Sequence, residues 1–307
     1  MNKTINLNAD LGESFGPWTM GEDEALLQVV RSANIACGFH AGDPVVMRHT
    51  VRTALAAGVS LGAHPAYPDL QGFGRRPMKM APAELEAMII YQVGALAGMA
   101  AAEGGRVTHV KPHGALNNQA CEDAALADAV ARAVKAIDPG LILLAPVLSE
   151  LHAAGASAGL RVAGEVFADR AYTDKGTLVP RGQPGAVIHD HDELVIHVLR
   201  MLEAGGVVSQ SGKVLPTSMD SICVHGDTLG AVESARHLRT ELEARGWTIA
   251  PLRRSCPTRR RIRQERRKSR FRRLICACAG YAGGRTPDDS IATCVAPTTT
   301  PYAPGAL

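Results

Sequence analysis

The stretch NIACGFHAGD, residues 34–43, begins as a short apolar run and ends in glycines, a histidine and an aspartate. Pro44 follows it, and a helical pattern starts there. Asp43 is therefore placed to cap that helix, with proline at the first helical position. An apolar strand, a polar break and a helix in this order form the βα unit from which parallel sheets are built.

The same unit recurs along residues 1–252. Seven apolar stretches are each followed by a polar or glycine-rich break; they are TINLNAD, ANIACGF, VSLGAHP, RVTHVKPHG, LILLAPV, RVAGEVF and SICVHGD. Helical patterns lie between them, over residues 22–31, 44–57, 82–103, 122–136, 193–203 and 229–245. Burial on both faces would explain strands that are almost wholly apolar. Seven units without a GxGxxG fingerprint favour an α/β fold with a closed (β/α) barrel of about seven parallel strands over an open doubly wound sheet.

Two segments interrupt this rhythm. Residues 168–190 are long for a βα loop and rich in charge and glycine, which predicts a lid over an active site. Residues 207–215 resemble a hairpin whose turn lies at Ser211 and Gly212.

Charge is distributed unevenly along the 307 residues, whose formal net charge is +3. Residues 253–307 hold 13 Lys and Arg against 3 Asp and Glu, a net charge of +10, and residues 1–252 hold 20 against 27, a net charge of −7. We expect a catalytic barrel domain over residues 1–252 and a largely disordered, Arg-rich and Pro/Gly/Thr-rich tail over residues 253–307. The tail lacks the aromatic and glycine pattern of an RNA-binding module, so an appendage is favoured over a nucleic-acid tether.

The sequence predicts a cytoplasmic protein without a membrane span. Its first residues, MNKTINLNAD, lack the apolar core of a secretory signal, and the run LILLAPVL is far shorter than the roughly 18 residues that suggest a span. Seven scattered cysteines without a CxxC pair fit a reducing compartment.

Polar side chains, most of them titratable, follow six of the seven predicted strands. In a parallel barrel the carboxyl ends of all strands open onto one face, so these side chains should meet around one pocket. They are Asn6, Asn8, Asp10 and Glu13 at the first strand, His40 and Asp43 at the second, His64 and Asp69 at the third, His109, Lys111 and His113 at the fourth, Glu165, Asp169 and Arg170 at the sixth, and His225 and Asp227 at the seventh.

Some of these residues have a structural alternative. Asp43 can serve as a helix cap alone. His189 and His191 are interpreted as a solvated helix start in preference to metal ligands. Arg75 and Arg76 form either a charged turn or a contact for an anionic group. The sequence contains no GxxxxGK[ST] loop, so any ATP is not held by a P-loop of this chain.

The strand ends also carry a family resemblance. LNADLGESFG, ANIACGFHAGDP, GAHPAYPDLQGFGRR, VKPHGALNN, EVFADRAYTDKGTLVPRGQPGAVI and CVHGDT, in this order, closely resemble the LamB/YcsF family. The resemblance implies a barrel related to the glycoside hydrolase/deacetylase group, working with 5-oxoprolinase subunits B and C. It implies opening of the lactam of 5-oxo-L-proline to L-glutamate, coupled to hydrolysis of ATP to ADP and phosphate. The family should end near Leu252, so the tail departs from it.

For that reaction the strand ends suggest individual roles. Arg170 or Arg181 suits the substrate carboxylate, and Lys111 suits the activated oxygen. General-base and proton-shuttle candidates are Asp10, His40, His64 and His113, with Glu13 and Glu165 as second choices. Further substrate-binding candidates are Asn8, Asp43, Asp169, His225 and Asp227.

Two other functions stay open at this point. The first is a divalent-metal-dependent deacetylase or amidohydrolase, with Asp10, His40 and His64 as ligands and open positions for water. The second is a non-catalytic lactam-binding module or a scaffold for partner subunits.

Overall fold

The computed structural model describes residues 3–224 and 230–254. Within them, seven parallel strands form a barrel: β1 (Lys3–Leu11), β2 (Ser32–Ala36), β3 (Ser60–His64), β4 (Val107–Val110), β5 (Ile142–Pro146), β6 (Arg161–Phe167) and β9 (Ser221–Val224). They pair in the order β1-β2-β3-β4-β5-β6-β9, and the barrel is closed because β9 pairs with both β6 and β1. The predicted barrel and its seven strands are confirmed.

Helices cover the outside of the barrel. Six of those in the described residues correspond to predicted patterns: α1 (Asp23–Leu27), α2 (Pro44–Ala56), α3 (Pro82–Ala102), α5 (Ala124–Ile137), α7 (His191–Ala204) and α8 (Ala231–Ala244). α1 is shorter than the predicted range 22–31, because the chain turns toward β2 and the Arg31 amide already donates to Leu7 O of β1 at 2.9 Å.

The remaining elements of the described residues are short. The sequence pattern missed α4 (Gly114–Glu122), α6 (Glu150–Ser157) and β10 (Trp247–Ile249), which pairs with the beginning of β1. The predicted hairpin is present as β7 (Gly206–Val208) and β8 (Val214–Pro216), which pair antiparallel.

Among the described helices, α3 is long and apolar enough to cross a membrane by length and composition. One side of it, including Leu85, Ile89, Val93 and Leu96, is fully buried in the main hydrophobic core. Burying each such side chain stabilises the folded chain by roughly 1.5–3 kcal/mol. This buried side holds α3 against the barrel as one of the helices that cover it.

The barrel interior is polar along β1, which differs from the expectation of strands that are almost wholly apolar. Along β1, Ile5, Leu7, Ala9 and Leu11 belong to the hydrophobic core. The alternate side chains reach other strands across the interior: Asn6 Nδ2 donates to Ser32 Oγ at 2.9 Å, and Asn8 Nδ2 donates to Ser221 Oγ at 2.8 Å. Side chains alternate between the two faces of a strand, so only one face of β1 is apolar.

The expected domain boundary near residue 252 and the nature of the tail stay predictions. Residues 255–307 lie outside the described part of the chain.

Candidate active site

A cavity of about 460 Å³ opens at the carboxyl ends of the barrel strands. Asp10, His64, Lys111 and His113 line it, together with Phe167 at the end of β6. The prediction that the strand ends bring these side chains together therefore holds for the residues of β1, β3, β4 and β6.

Lys111 is a buried cation at this cavity. Its Nζ lies 3.0 Å from Asp10 Oδ1 and 3.0 Å from Glu165 Oε1, and it donates to Cys223 Sγ at 3.1 Å. Burial favours the neutral amine, but Asp10, Cys223 and Glu165 outweigh it, so the pKa of Lys111 is raised and the side chain carries its charge. A fixed ammonium in a dry site can stabilise negative charge that develops on a substrate oxygen.

Amide side chains inside the barrel hold this charge cluster in place. Asn8 Nδ2 donates to Glu165 Oε1 at 2.9 Å, and Asn34 Nδ2 donates to Asp10 Oδ1 at 2.8 Å. His109 Nε2 lies 3.0 Å from Asn34 Oδ1. Burial is the main reason that the pKa of Glu165 is raised and that of His109 is lowered to about 3.

Three histidines and a carboxylate form a second cluster beside Lys111. Glu13, His40, His64 and His113 are all buried, and each offers one donor atom within 4.8 Å of the others. Glu13 Oε1 lies 3.2 Å from His40 Nε2 and 3.8 Å from His113 Nδ1. The rings of His40 and His113 stack with centroids 3.8 Å apart. The structure thus supports a group able to hold a divalent metal, with Glu13 and His113 in place of Asp10 of the predicted ligand set.

Backbone carbonyls fix two of these imidazoles. His64 Nδ1 lies 2.7 Å from Lys111 O, and His113 Nε2 lies 2.8 Å from Phe73 O. Since a carbonyl only accepts, both of these ring nitrogens carry hydrogen. The remaining nitrogens, His64 Nε2 and His113 Nδ1, face each other at 3.0 Å, and Asp10 Oδ2 lies 3.3 Å from His64 Nε2.

Burial also sets the charge of His113 and His40. It lowers the pKa of His113 to about 3, with His64 as the next cause. It lowers the pKa of His40 as well, followed by the neighbouring His113 and His64. Neutral imidazoles are the form that accepts a proton or binds a metal.

The loop after β3 packs directly on this cluster, a feature that sequence reasoning missed. Phe73 has φ 54°, and its carbonyl is the partner of His113. Gly74 has φ 64°, and a Cβ there would lie 2.8 Å from both His113 Cδ2 and His40 Cβ. The glycines on both sides of Phe73 are the sequence signal for this loop, whereas the prediction for it concerned only Arg75 and Arg76.

The predicted lid, residues 168–190, contributes much of the cavity wall. Arg170 is buried and donates to Val179 O at 2.7 Å and to Ala186 O at 3.3 Å, so it ties the segment to itself. Arg181 is exposed at the cavity. Of the two candidates for a substrate carboxylate, Arg170 is thus engaged by the lid backbone, whereas Arg181 lies where a ligand can reach it.

Several predicted substrate-binding residues do not line the cavity. Asp43 caps α2, and its carboxylate accepts from Val45 N at 2.7 Å. Asn8 belongs to the amide network inside the barrel, and Asp169 is buried beside Arg170.

One further candidate at the strand ends, Asp69, does not line the cavity. Asp69 is buried in the loop after β3, where its Oδ1 accepts from Gly72 N at 3.0 Å. His225 and Asp227 lie outside the described residues, so their predicted roles stay predictions.

The cavity combines three chemical groups: the fixed ammonium of Lys111, the carboxylate of Asp10 next to an imidazole, and a cluster of side chains able to bind a metal ion. His64 lies between Asp10 and His113, with its Nε2 3.3 Å from Asp10 Oδ2 and 3.0 Å from His113 Nδ1. Lys111 stands beside them as an electrostatic stabiliser. These are the components of amide-bond hydrolysis.

Comparison with known proteins gives a consistent result. The model of the LamB/YcsF family matches residues 5–256. A protein of Azoarcus sp. (strain BH72), named as the A subunit of 5-oxoprolinase, is 78% identical over 248 residues, which cover 81% of this chain and 97% of that protein. A protein of the same name from Methylococcus capsulatus is 58% identical over 252 residues, covering 82% and 97%.

A solved structure has the same fold. The lactam utilization protein from Thermus thermophilus superposes with a TM-score of 0.76 at 44% sequence identity, covering 80% of this chain and 99% of that one.

Proposed function

The chain belongs to the LamB/YcsF family, and on that premise we propose that it is the A component of a 5-oxoprolinase, which opens the lactam of 5-oxo-L-proline to L-glutamate. The name of the Azoarcus relative supports this function, since the match covers almost the whole of that protein. The observation that carries the chemistry is the ammonium of Lys111, held by Asp10 and Glu165 beside His64 in the cavity.

The reaction needs a directed water. Water adds to the lactam carbonyl carbon, the ring C–N bond breaks, and the ring nitrogen leaves with a proton. Asp10 is the residue that we assign to taking the proton from water and returning it to the nitrogen, and His64 lies 3.3 Å from its Oδ2. A positioned base and acid typically contribute about 10² to 10⁴ in rate.

The lactam oxygen must also be stabilised. We assign this role to Lys111, whose charge is held next to the cavity by two carboxylates. We assign the substrate carboxylate to Arg181 at the rim, because a guanidinium matches a carboxylate with two charge-assisted hydrogen bonds.

ATP belongs to the proposal at the level of the whole complex. A five-membered lactam is a stable amide, and phosphorylation of its oxygen by ATP, with release of ADP, would make the carbon a better electrophile. Addition of one water and cleavage of the ring C–N bond would then give γ-glutamyl phosphate, and a second water would release phosphate and glutamate. Because the sequence contains no P-loop, we propose that partner subunits B and C provide this activation and that this chain performs the hydrolysis. The cytoplasmic location stays part of the same proposal.

The test is an assay of glutamate formation from 5-oxoproline with ATP, using this chain with and without purified subunits B and C. We expect glutamate only from the complete mixture. Equal glutamate formation from B and C alone would refute the proposal. Lys111→Met in the complete mixture should abolish turnover, and Lys79→Met, at an exposed site, is the control.

A further inference from the structure

The electron pairs of His64 Nε2 and His113 Nδ1 face each other at 3.0 Å, because each ring uses its other nitrogen to donate to a backbone carbonyl. Two lone pairs at this distance repel unless a proton or a metal cation lies between them. His40 Nε2 is next to this pair, because it lies 3.2 Å from Glu13 Oε1, and that oxygen lies 3.8 Å from His113 Nδ1.

We infer that Glu13, His40, His64 and His113 form a binding site for one divalent transition-metal cation of the Zn²⁺ type. The site itself stands on the geometry of these four side chains, whereas its part in catalysis rests on the proposed function.

The spacing of the donor atoms fits such a cation. For ligands about 2.1 Å from a tetrahedral Zn²⁺, neighbouring donors lie about 3.4 Å apart. Three of the six separations are 3.0 Å from His64 to His113, 3.2 Å from Glu13 to His40, and 3.8 Å from Glu13 to His113, and all six are within 4.8 Å.

The donor types select the class of metal. Three imidazoles and one carboxylate suit Zn²⁺, Co²⁺ or Mn²⁺, whereas Mg²⁺ and Ca²⁺ prefer oxygen donors alone. All four residues are buried, so the surrounding protein shields the group from bulk water.

The surroundings of the group are also those of a metal site. Metal-ligating histidines usually donate their second N–H to a carbonyl or carboxylate, which fixes the ring. Lys111 O and Phe73 O do this for His64 and His113. Gly74 leaves room for the His40 and His113 rings, since any side chain there would collide with them.

The site adjoins the proposed catalytic residues. Asp10 Oδ2 lies 3.3 Å from His64 Nε2, and its other oxygen contacts Lys111. A divalent cation bound here would polarise the lactam oxygen or acidify the attacking water, while Asp10 handles the proton.

The experiment uses the full chain after treatment with a chelator and desalting. Zn²⁺ binding to the metal-free chain is measured by titration calorimetry. Co²⁺ binding is followed by its visible absorption spectrum, which reports nitrogen and oxygen ligands. The variants are His64→Gln, His113→Gln and Glu13→Gln, and the matched control is His152→Gln in α6, away from the group. Circular dichroism checks that each variant is folded.

We expect one tight Zn²⁺ per chain for the wild type and for His152→Gln, and binding at least about 100-fold weaker in the other three variants. Zn²⁺ should also raise the melting temperature of the wild type but not of these three. If the wild type binds Zn²⁺ no better than His64→Gln and His113→Gln, a proton alone lies between the two rings and the inference is overturned.

Failure of this inference and failure of the proposed function give different results. A chelator-treated chain that is metal-free and still forms glutamate at the full rate with subunits B and C would remove the metal from the reaction and leave the function standing. Tight Zn²⁺ binding in a complex that forms no glutamate would leave the metal site standing and refute the proposed function.

Discussion

Lys111 and Glu165 form an ion pair inside the barrel, with Nζ 3.0 Å from Oε1 and both side chains at most 3% exposed. Asp10 approaches the same ammonium to 3.0 Å. One cation thus neutralises part of the charge of two carboxylates in a site that is largely shielded from water. Removing a partner from a buried pair leaves charge uncompensated, which is far more costly than the pair itself is stabilising.

Lys111→Met should therefore destabilise the free chain by about 3–5 kcal/mol. The measurement is urea unfolding followed by circular dichroism, with Lys79→Met at an exposed position as the control. A loss below about 1 kcal/mol would mean that Glu165 and Asp10 become protonated without difficulty.

The buried His109 should make stability fall in acid. Its pKa is lowered to about 3 in the folded chain, from an unfolded value of 6.5, chiefly by burial. The unfolded chain therefore binds an additional proton below pH 6.5, so this stabilisation is complete above the unfolded pKa and is lost as the pH falls toward the folded one. Between about pH 7.5 and about pH 5 the loss should be about 2 kcal/mol. Over the same pH range, the free energy of unfolding of His109→Gln should fall by about 2 kcal/mol less than that of the unchanged chain. The measurement is urea unfolding at several pH values, and the same pH dependence in both proteins would contradict this account.

Gly74→Ala should reduce turnover by about tenfold or more, because the new methyl would displace the His40 and His113 rings. Gly58→Ala is the matched control, since Gly58 has a similar φ of 67° but open space around the added carbon. Both variants should lose about 1 kcal/mol from the left-handed backbone. The measurement is glutamate formation in the complete complex. Backbone strain is common to both variants, so a lower activity of Gly74→Ala alone would come from displacement of the histidines, and equal activity of the two variants would be evidence against the tight packing at Gly74.

Asp43→Ala should lower stability and leave catalysis almost intact. Its carboxylate accepts hydrogen bonds from the first turn of α2, and a lost cap typically costs about 1 kcal/mol. Asp123→Ala, which removes the cap of α5, is the control for this effect. A rise in KM for 5-oxoproline of more than about threefold in Asp43→Ala alone would restore the predicted role in substrate binding.

Arg181→Gln should raise KM for 5-oxoproline about tenfold or more with little change in kcat, because a charged hydrogen bond to the bound carboxylate would be lost. Arg170→Gln should instead lower thermal stability, since Arg170 donates to two lid carbonyls. Steady-state kinetics of the complete complex and thermal melts of the free chain give the two readouts. An unchanged KM in Arg181→Gln would move the carboxylate contact elsewhere.

The sequence predicts the barrel because the βα unit is a local pattern, repeated seven times with recognisable helix starts such as Asp43-Pro44. It also predicts that Asp10, His64, Lys111 and His113 meet, since this follows from parallel strands alone. α4 and α6 are short, with 9 and 8 residues, and carry too few turns for a clear apolar period.

The remaining parts of the site depend on distances that no local pattern contains. Glu13 joins His40 because the loop after β1 folds back over the barrel, and Phe73 reaches His113 from the loop after β3. Asn34 lies within the second apolar stretch, and nothing beside it in the sequence indicates that its amide contacts Asp10. For the same reason the predicted metal ligands included Asp10 and omitted Glu13 and His113.

The amides and hydroxyls that fill the barrel have a consequence for engineering. Replacing Asn8 or Asn34 with leucine, the usual way to gain heat tolerance in a core, would release Glu165 or Asp10 from the partner that orients it. Variants selected for thermostability with activity retained should therefore accumulate their substitutions on the outer helices and leave the centre of the barrel unchanged.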